Sequence, residues 1–110
     1  MAQTVNRQWQ LAARPEGMVG EEHFRFMEAR APEVSADGQV LVRTLMLSCD
    51  PTQRGWMARD TYLPAVGIGE VMRSFGVGRV AETRHDAFRV GQLVQGLLGW
   101  QDWLVCDPRA

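Results

Sequence analysis

Gln39-Val40-Leu41-Val42-Arg43-Thr44-Leu45-Met46-Leu47-Ser48 is the most strand-like stretch of the chain, rich in Val and Leu with Arg43 as its only charge. Branched and apolar side chains of this kind suit a pleated surface. The Ala36-Asp37-Gly38 triplet in front of it is a turn signal, with Gly38 suited to positive φ. Upstream, Gln8 to Ala13 alternates until Arg14-Pro15-Glu16-Gly17 turns the chain. His23 to Glu28 then puts Phe24 and Phe26 on one face, as a period of two requires. Downstream, Gly76 to Thr83, Leu93 to Leu98 and Asp102 to Val105 read as further strands, each near a Gly. Short strands with Gly turns about every 8–12 residues predict a mainly β fold, a barrel or a sandwich.

The whole chain has 110 residues, enough for one domain with one modest core. Apolar residues at 45% against 23% charged exclude a disordered chain. A net charge of −1 and a pI near 6.1 leave no electrostatic footprint for nucleic acid. All 12 basic residues are Arg, scattered without forming a stripe, a pattern read here as codon bias. No stretch approaches the ~20 apolar residues of a membrane span, and the N-terminus lacks an apolar signal core. The expectation is therefore a cytoplasmic protein with no membrane partner. Cys49 and Cys106 lack the spacing of a zinc, redox or disulfide framework, and their apolar surroundings predict buried free thiols.

One segment departs from the strand pattern. Asp50-Pro51-Thr52-Gln53-Arg54 offers a capping residue followed by Pro, the usual entry to a helical turn, with Asp50 placed to accept from the N–H of Thr52 or Gln53. Gly55 and Arg59-Asp60 keep any helix short, and Tyr62 to Gly69, with Pro64 and two Gly, predicts an irregular surface loop. Loops on a rigid β scaffold are where function tends to sit. Gly76-Val77-Gly78-Arg79-Val80-Ala81 satisfies the formal dinucleotide fingerprint, but Gly91 arrives too soon for a crossover helix and return strand. These glycines are expected to relieve crowding at a strand bend. Two His and two Cys without convergent spacing predict no metal site, with His23 and His85 read as solvated surface residues. None of the three Ser lies in a nucleophile-elbow setting, and no residue earns a catalytic assignment.

Taken in order, several pieces resemble the N-terminal catalytic domain of the zinc-independent medium-chain dehydrogenase/reductases, in the prostaglandin/leukotriene reductase and double-bond reductase branch. They are Asn6-Arg7-Gln8-Trp9, Gly38 to Val42, Leu47-Ser48-Cys49-Asp50-Pro51 with Arg54-Gly55, and Gly76-Val77-Gly78. Val90 to Val94 and Gly99-Trp100-Gln101-Asp102-Trp103 complete the set. The resemblance implies a GroES-like, partly open β-barrel that lacks the Rossmann domain of its relatives. It implies that residues 1–110 are one module of a longer two-domain oxidoreductase, inactive without its nucleotide-binding domain. The implied reaction is NADPH-dependent reduction of the C=C bond of an α,β-unsaturated ketone or aldehyde, with a homodimer possible at full length.

The same resemblance implies the site residues: Pro51 and Thr52 towards the cofactor, and Thr52, Arg54 and Tyr62 towards substrate. Each has an alternative. Thr52 also reads as a solvated residue of a capped turn, Arg54 as a brace bonding carbonyls or Asp50, and Tyr62 as an exposed loop residue. The chain departs from the branch pattern Asp-Pro-Tyr-Met-Arg, with Thr52 in place of the aromatic and Gln53 in place of Met. Gln92 stands where the superfamily commonly has Asp. The zinc-dependent relatives have a Cys ligand near Asp50 and a Gly-His-Glu motif near Arg73-Ser74-Phe75; this chain has no His there, so the catalytic metal does not carry over. From a different class, a free-standing GroES-like assembly or protein-interaction module fits the same length and fold.

Overall fold

The computed structural model describes residues 5–108. The stretch that opens the sequence reading becomes β3 (Val40–Leu47), the centre of a four-stranded antiparallel sheet. Its neighbours are β4 (Phe75–Thr83) on one side and β6 (Trp103–Cys106) on the other, with β5 (Leu93–Leu97) outside β4. β1 (Val5–Leu11) and β2 (Phe24–Arg30) form a separate antiparallel ribbon with Trp9 opposite Phe26 and Leu11 opposite Phe24. The Trp9 and Phe26 rings lie 5.1 Å apart. A short helix, α1 (Thr52–Ala58), follows β3, as the Asp-Pro entry predicts.

The ribbon joins the sheet through irregular segments. Trp9 N–H donates to the Trp100 carbonyl, Trp100 N–H to Met72, and Met72 N–H back to Trp9, each at 2.9 Å. Single bridges between Gln8 and Gln101 and between Gln10 and Val71 flank this triangle. The result is a mainly β, partly open barrel, in agreement with the sequence reading. Its first and last described strands are fastened together: Trp103 N–H donates to Asn6 Oδ1 at 2.9 Å, and Asn6 is buried. Beside it, Arg7 Nε and Nη2 meet Asp102 Oδ2 and Oδ1 at 2.8 and 3.0 Å.

The apolar pattern divides into two cores. Leu11, Trp56, Met57, Val66 and Met72 pack under α1, with Val19, Phe24, Leu63 and Trp100 around them. Val40, Val42 and Leu98 form the second, beside Phe88, Val94 and Leu104. Full burial of a Val, Leu or Met contributes roughly 1.5–3 kcal/mol, so two clusters of this size suit a small domain. β3 itself changes character midway. Val40, Leu41 and Val42 are buried, whereas Leu45, Met46 and Leu47 are exposed, because pairing with β6 ends at Arg43 while pairing with β4 continues to Leu47.

Gly76 and Gly78 lie inside β4, and among the described residues no helix stands between β4 and β5. A Cβ on Gly76 would sit 2.6 Å from the Met46 carbonyl oxygen, and one on Gly78 2.7 Å from that of Arg43. The glycines admit close approach where β3 shifts register, between Leu41 and Val42 and between Thr44 and Met46. Gly38 has φ +88, as its turn requires.

Two expectations fail. Cys49 is exposed because it lies just past the end of β3, and Cys106 is half-buried on the outer strand β6, where burial pushes its thiol pKa up. Cys106 packs at the edge of the second core, and Cys49 does not. His23 is not a solvated strand residue: it ends a 3-10 turn (Glu21–His23), its side chain is largely covered, and Nδ1 accepts the Gly20 N–H at 2.9 Å. His85 is also half-buried, with Nδ1 accepting the Ala87 N–H and its ring edge-on to Phe88. Local turn bonding claims both imidazoles.

Candidate functional site at the entry to the short helix

The chain leaves β3 at Ser48 and enters α1 four residues later, and buried polar contacts fix that passage. The Asp50 carboxylate accepts from the Ser48 hydroxyl at 2.7 Å and from Thr52 N–H at 3.0 Å. These bonds, Ser48 first, hold the Asp50 pKa below the usual carboxylate range. Pro51, at φ −62 and ψ −24, is already helical in conformation, so Asp50 does the capping that the sequence predicts. Gln53, buried, donates from Nε2 to the Ser48 carbonyl at 2.7 Å and to Ser74 Oγ at 3.3 Å. Ser74, fully buried, has its hydroxyl 2.9 Å from both the Ser48 and the Phe75 carbonyl oxygens. Ser48 N–H closes the network on the Phe75 carbonyl at 2.8 Å. The positions near Asp50 and near Ser74, 24 residues apart in sequence, thus meet in space.

The four residues singled out from the sequence separate into two groups. Pro51 and Thr52 stand exposed at the helix entry. Tyr62, 71% exposed, lies in the following loop, and its ring meets Trp56 edge-on at 6.2 Å. Trp56 sits four positions after Thr52 on α1 but is buried, whereas Thr52 is exposed. Arg54 points elsewhere. Its Nη2 donates to the Pro15 and Gly17 carbonyls at 3.0 and 3.1 Å, bracing α1 against the first turn rather than bonding Asp50. Arg14 acts likewise, with Nη1 donating to the Met57 and Val66 carbonyls at 2.8 and 3.0 Å.

Sequence reasoning missed Gln53, Ser74, Trp56 and Phe75. Phe75 is 45% exposed, with its ring 6.1 Å from that of Trp56. The guanidinium of Arg73 lies over the same indole at 5.3 Å. The available signal was the Trp at the i+4 position from Thr52; Phe75, hidden against a Gly string, gave none. Two concave spaces lie away from these residues. A groove of about 550 Å³ runs between Trp9 and Phe26 and the exposed end of β3, and a cavity of about 330 Å³ lies between Glu70–Arg73 and Leu97–Gly99. Neither is lined by Pro51, Thr52, Arg54 or Tyr62. Among those residues, no group of three or more His, Cys, Asp and Glu side chains could hold a metal ion, and no helix is long and apolar enough to cross a membrane.

An open antiparallel barrel with a rigidly held helix entry at its rim, and no helix between its glycine pair and β5, fits the non-nucleotide domain of an oxidoreductase as well as an assembly module. Residues 7–110 match the family described as the N-terminal domain of oxidoreductase, and the chain belongs to that family, in the double-bond reductase branch of the medium-chain dehydrogenase/reductases. It is 44% identical over 99 residues to the NADPH-dependent curcumin reductase of Escherichia coli (strain K12), covering 89% of this chain and 28% of that protein. It is 33% identical over 84 residues to the NADP(+)-dependent 2-alkenal reductase of Nicotiana tabacum, covering 74% of this chain and 24% of that one. The crystal structure of CurA from Vibrio vulnificus superposes with a TM-score of 0.87 at 39% identity, over 93% of this chain and 30% of the other. CurA has also been solved in complex with NADPH, and that structure superposes with a TM-score of 0.81. These matches make the fold GroES-like. The chain spans about a quarter to a third of the length of these relatives.

Proposed function

We propose that this chain is the substrate-side wall of an NADPH-dependent, zinc-independent reductase of the C=C bond in α,β-unsaturated ketones and aldehydes, acting with a nucleotide-binding domain and inactive without it. The observation that carries the reading is the fixed helix entry, where the Ser48–Asp50–Gln53–Ser74 bonds hold Pro51 and Thr52 exposed at the rim. NADPH, when bound, supplies a hydride to the β-carbon of the enone. Pro51 and Thr52 suit the nicotinamide end of that cofactor. Gly76 and Gly78 pack inside a strand instead of opening a helix, so this pair offers no helix N-terminus to the pyrophosphate. The substrate carbonyl withdraws electrons and the enolate takes a proton from solvent or a nearby hydroxyl. Thr52 and Tyr62 supply contacts to substrate, and Arg54 acts on it through the loop it braces. The Ser74 hydroxyl, saturated by two carbonyls, supports a site that works without zinc.

The test joins residues 1–110 to the remaining part of the E. coli curcumin reductase and follows NADPH consumption with an enone. Turnover that depends on the joined domain supports the proposal, and a soluble, folded chimera with no turnover of any enone refutes it. A second reading, an assembly module, has the exposed Leu45-Met46-Leu47 strip beside Trp9 and Phe26 in its favour. Light scattering decides it, since a monomer or dimer at micromolar concentration removes a ring.

A further inference from the structure

We propose that the cavity between Glu70–Arg73 and Leu97–Gly99 is a binding site for a small aliphatic carboxylate, received by the guanidinium of Arg73. It stands apart from the helix entry, since neither Pro51 nor Thr52 lines it, and it does not depend on the reduction proposed above. Arg73 is half-buried, and its Nη1 is covered without a hydrogen-bond partner. Among the described residues its side chain makes no hydrogen bond or ion pair, and the Trp56 indole, 5.3 Å away, is what holds it. Arg14 and Arg54, by contrast, spend their donors on backbone carbonyls. An indole face attracts the charge of Arg73 but leaves its N–H groups unanswered. Five donors in a fixed fork, partly withdrawn from water, match the two oxygens of a carboxylate. The cavity, of about 330 Å³, is at the lower end of the ~300–1,000 Å³ range of ligand sites. Val66, Val71, Leu97 and Leu98 give it apolar walls that suit a short hydrocarbon chain. The other polar side chains in the lining are already engaged. Gln101 accepts from Asn6 and Gln8 through Oε1 and donates to the Leu98 carbonyl through Nε2. Glu70 accepts the Gly67 N–H and stands exposed to solvent, where its charge is screened. With one guanidinium and one carboxylate in its lining, the cavity suits a monoanion rather than a phosphate dianion.

The experiment titrates the ¹⁵N-labelled 110-residue chain with isovalerate and with isovaleramide, alike in shape but not in charge. The Arg73 Nε–H resonance reports occupancy, together with the N–H of the Trp56 indole against which Arg73 packs. The carboxylate is expected to bind roughly 5- to 30-fold more tightly than the amide, the factor that a charge-assisted bond adds over a neutral one. Arg73→Gln should bring the two affinities together, whereas Arg73→Lys, which keeps the charge, should retain part of the preference. The same titration is then made on the chimera with the remainder of the E. coli curcumin reductase, and binding that persists there supports a free carboxylate as the ligand. Equal affinities in the unaltered chain, or no saturation by either compound, overturn the site. A preference that survives Arg73→Gln overturns it as well, because the anion would then sit on another cation. Binding lost in the chimera assigns the guanidinium to an acidic side chain of the remaining polypeptide, and it too overturns the ligand site.

Discussion

Arg7 and Asp102, 95 residues apart in sequence, form a two-pronged ion pair, and Asp102 Oδ2 also accepts the Arg7 backbone N–H at 2.9 Å. The pairing holds the Asp102 pKa below the usual carboxylate range, through the Arg7 side-chain bond first, and raises that of Arg7. A carboxylate whose folded pKa is depressed stabilises the fold above its unfolded pKa and loses that contribution as pH falls through the folded value. Asp102→Asn should therefore lower the urea midpoint by a constant amount above about pH 5, and the gap should close as pH drops below about 4. A gap that stayed constant down to pH 2 would show that the charge on Asp102 contributes nothing.

The glycine pair in β4 gives a packing prediction. Gly78→Ala forces a Cβ towards the Val42 side chain and the Arg43 carbonyl, and overpacking of this kind costs about 1–3 kcal/mol. Gly96 has nothing within 4 Å of its would-be Cβ, so Gly96→Ala should stay within about 0.5 kcal/mol of the parent. Urea midpoints of the two variants decide it, and equal effects would mean that β4 moves aside.

Gln53 and Ser74 support the site from below. Gln53→Leu removes the donor to the Ser48 carbonyl and the partner of Ser74 Oγ, with an expected cost of about 1–3 kcal/mol. Thr52→Ser, at an exposed position, should be close to neutral. A Gln53→Leu protein as stable as the parent would count against the network.

The 110-residue chain should bind NADPH weakly or not at all. A titration following Trp fluorescence is expected to show no saturation below roughly millimolar NADPH, a free energy of only about −4 kcal/mol. Micromolar affinity would place a nucleotide site among these residues after all.

Position 52 should set substrate size once the chain is joined to a nucleotide-binding domain. A Thr in place of a ring that buries ~150–250 Å² leaves a wider site, so bulky enones should be accepted comparatively well. Thr52→Tyr should move the kcat/KM ratio towards small 2-alkenals by roughly 10- to 200-fold, the equivalent of ~1–3 kcal/mol. Competing small and bulky substrates at fixed NADPH provide the measurement. An unchanged ratio would mean that Thr52 is only the first residue of a capped turn.

Much of this fold was legible because strand signals are local. The Val-rich run at 40–42, the Asp37-Gly38 turn and the Asp50-Pro51 entry each declare themselves within a few residues, and each took the expected form. What depends on distant partners was not legible. The thiol of Cys49 sits in a locally apolar run, yet only the end of β3 decides that it is exposed. His23 looks solvated until the Gly20 turn folds back on it. Thr52 and Tyr62 could be marked by resemblance, but the packing of Tyr62 and Phe75 on Trp56 depends on a loop and a strand beyond α1.

The fastening of β1 to β6 sets a schedule for biosynthesis. The side chains of Asn6 and Arg7 find their hydrogen-bond partners in residues 101 to 103, so the buried Asn6 amide stays unpaired until those residues have been made. At about 5–20 residues per second, that interval lasts roughly 5–20 s. Through it the β1–β2 ribbon, with Trp9 and Phe26 exposed, pairs with itself and then with residues 69–72, and its link to β6 comes last. A nascent chain stalled before Gln101 should therefore be open to protease and to chaperone capture, and one extended past Cys106 should close.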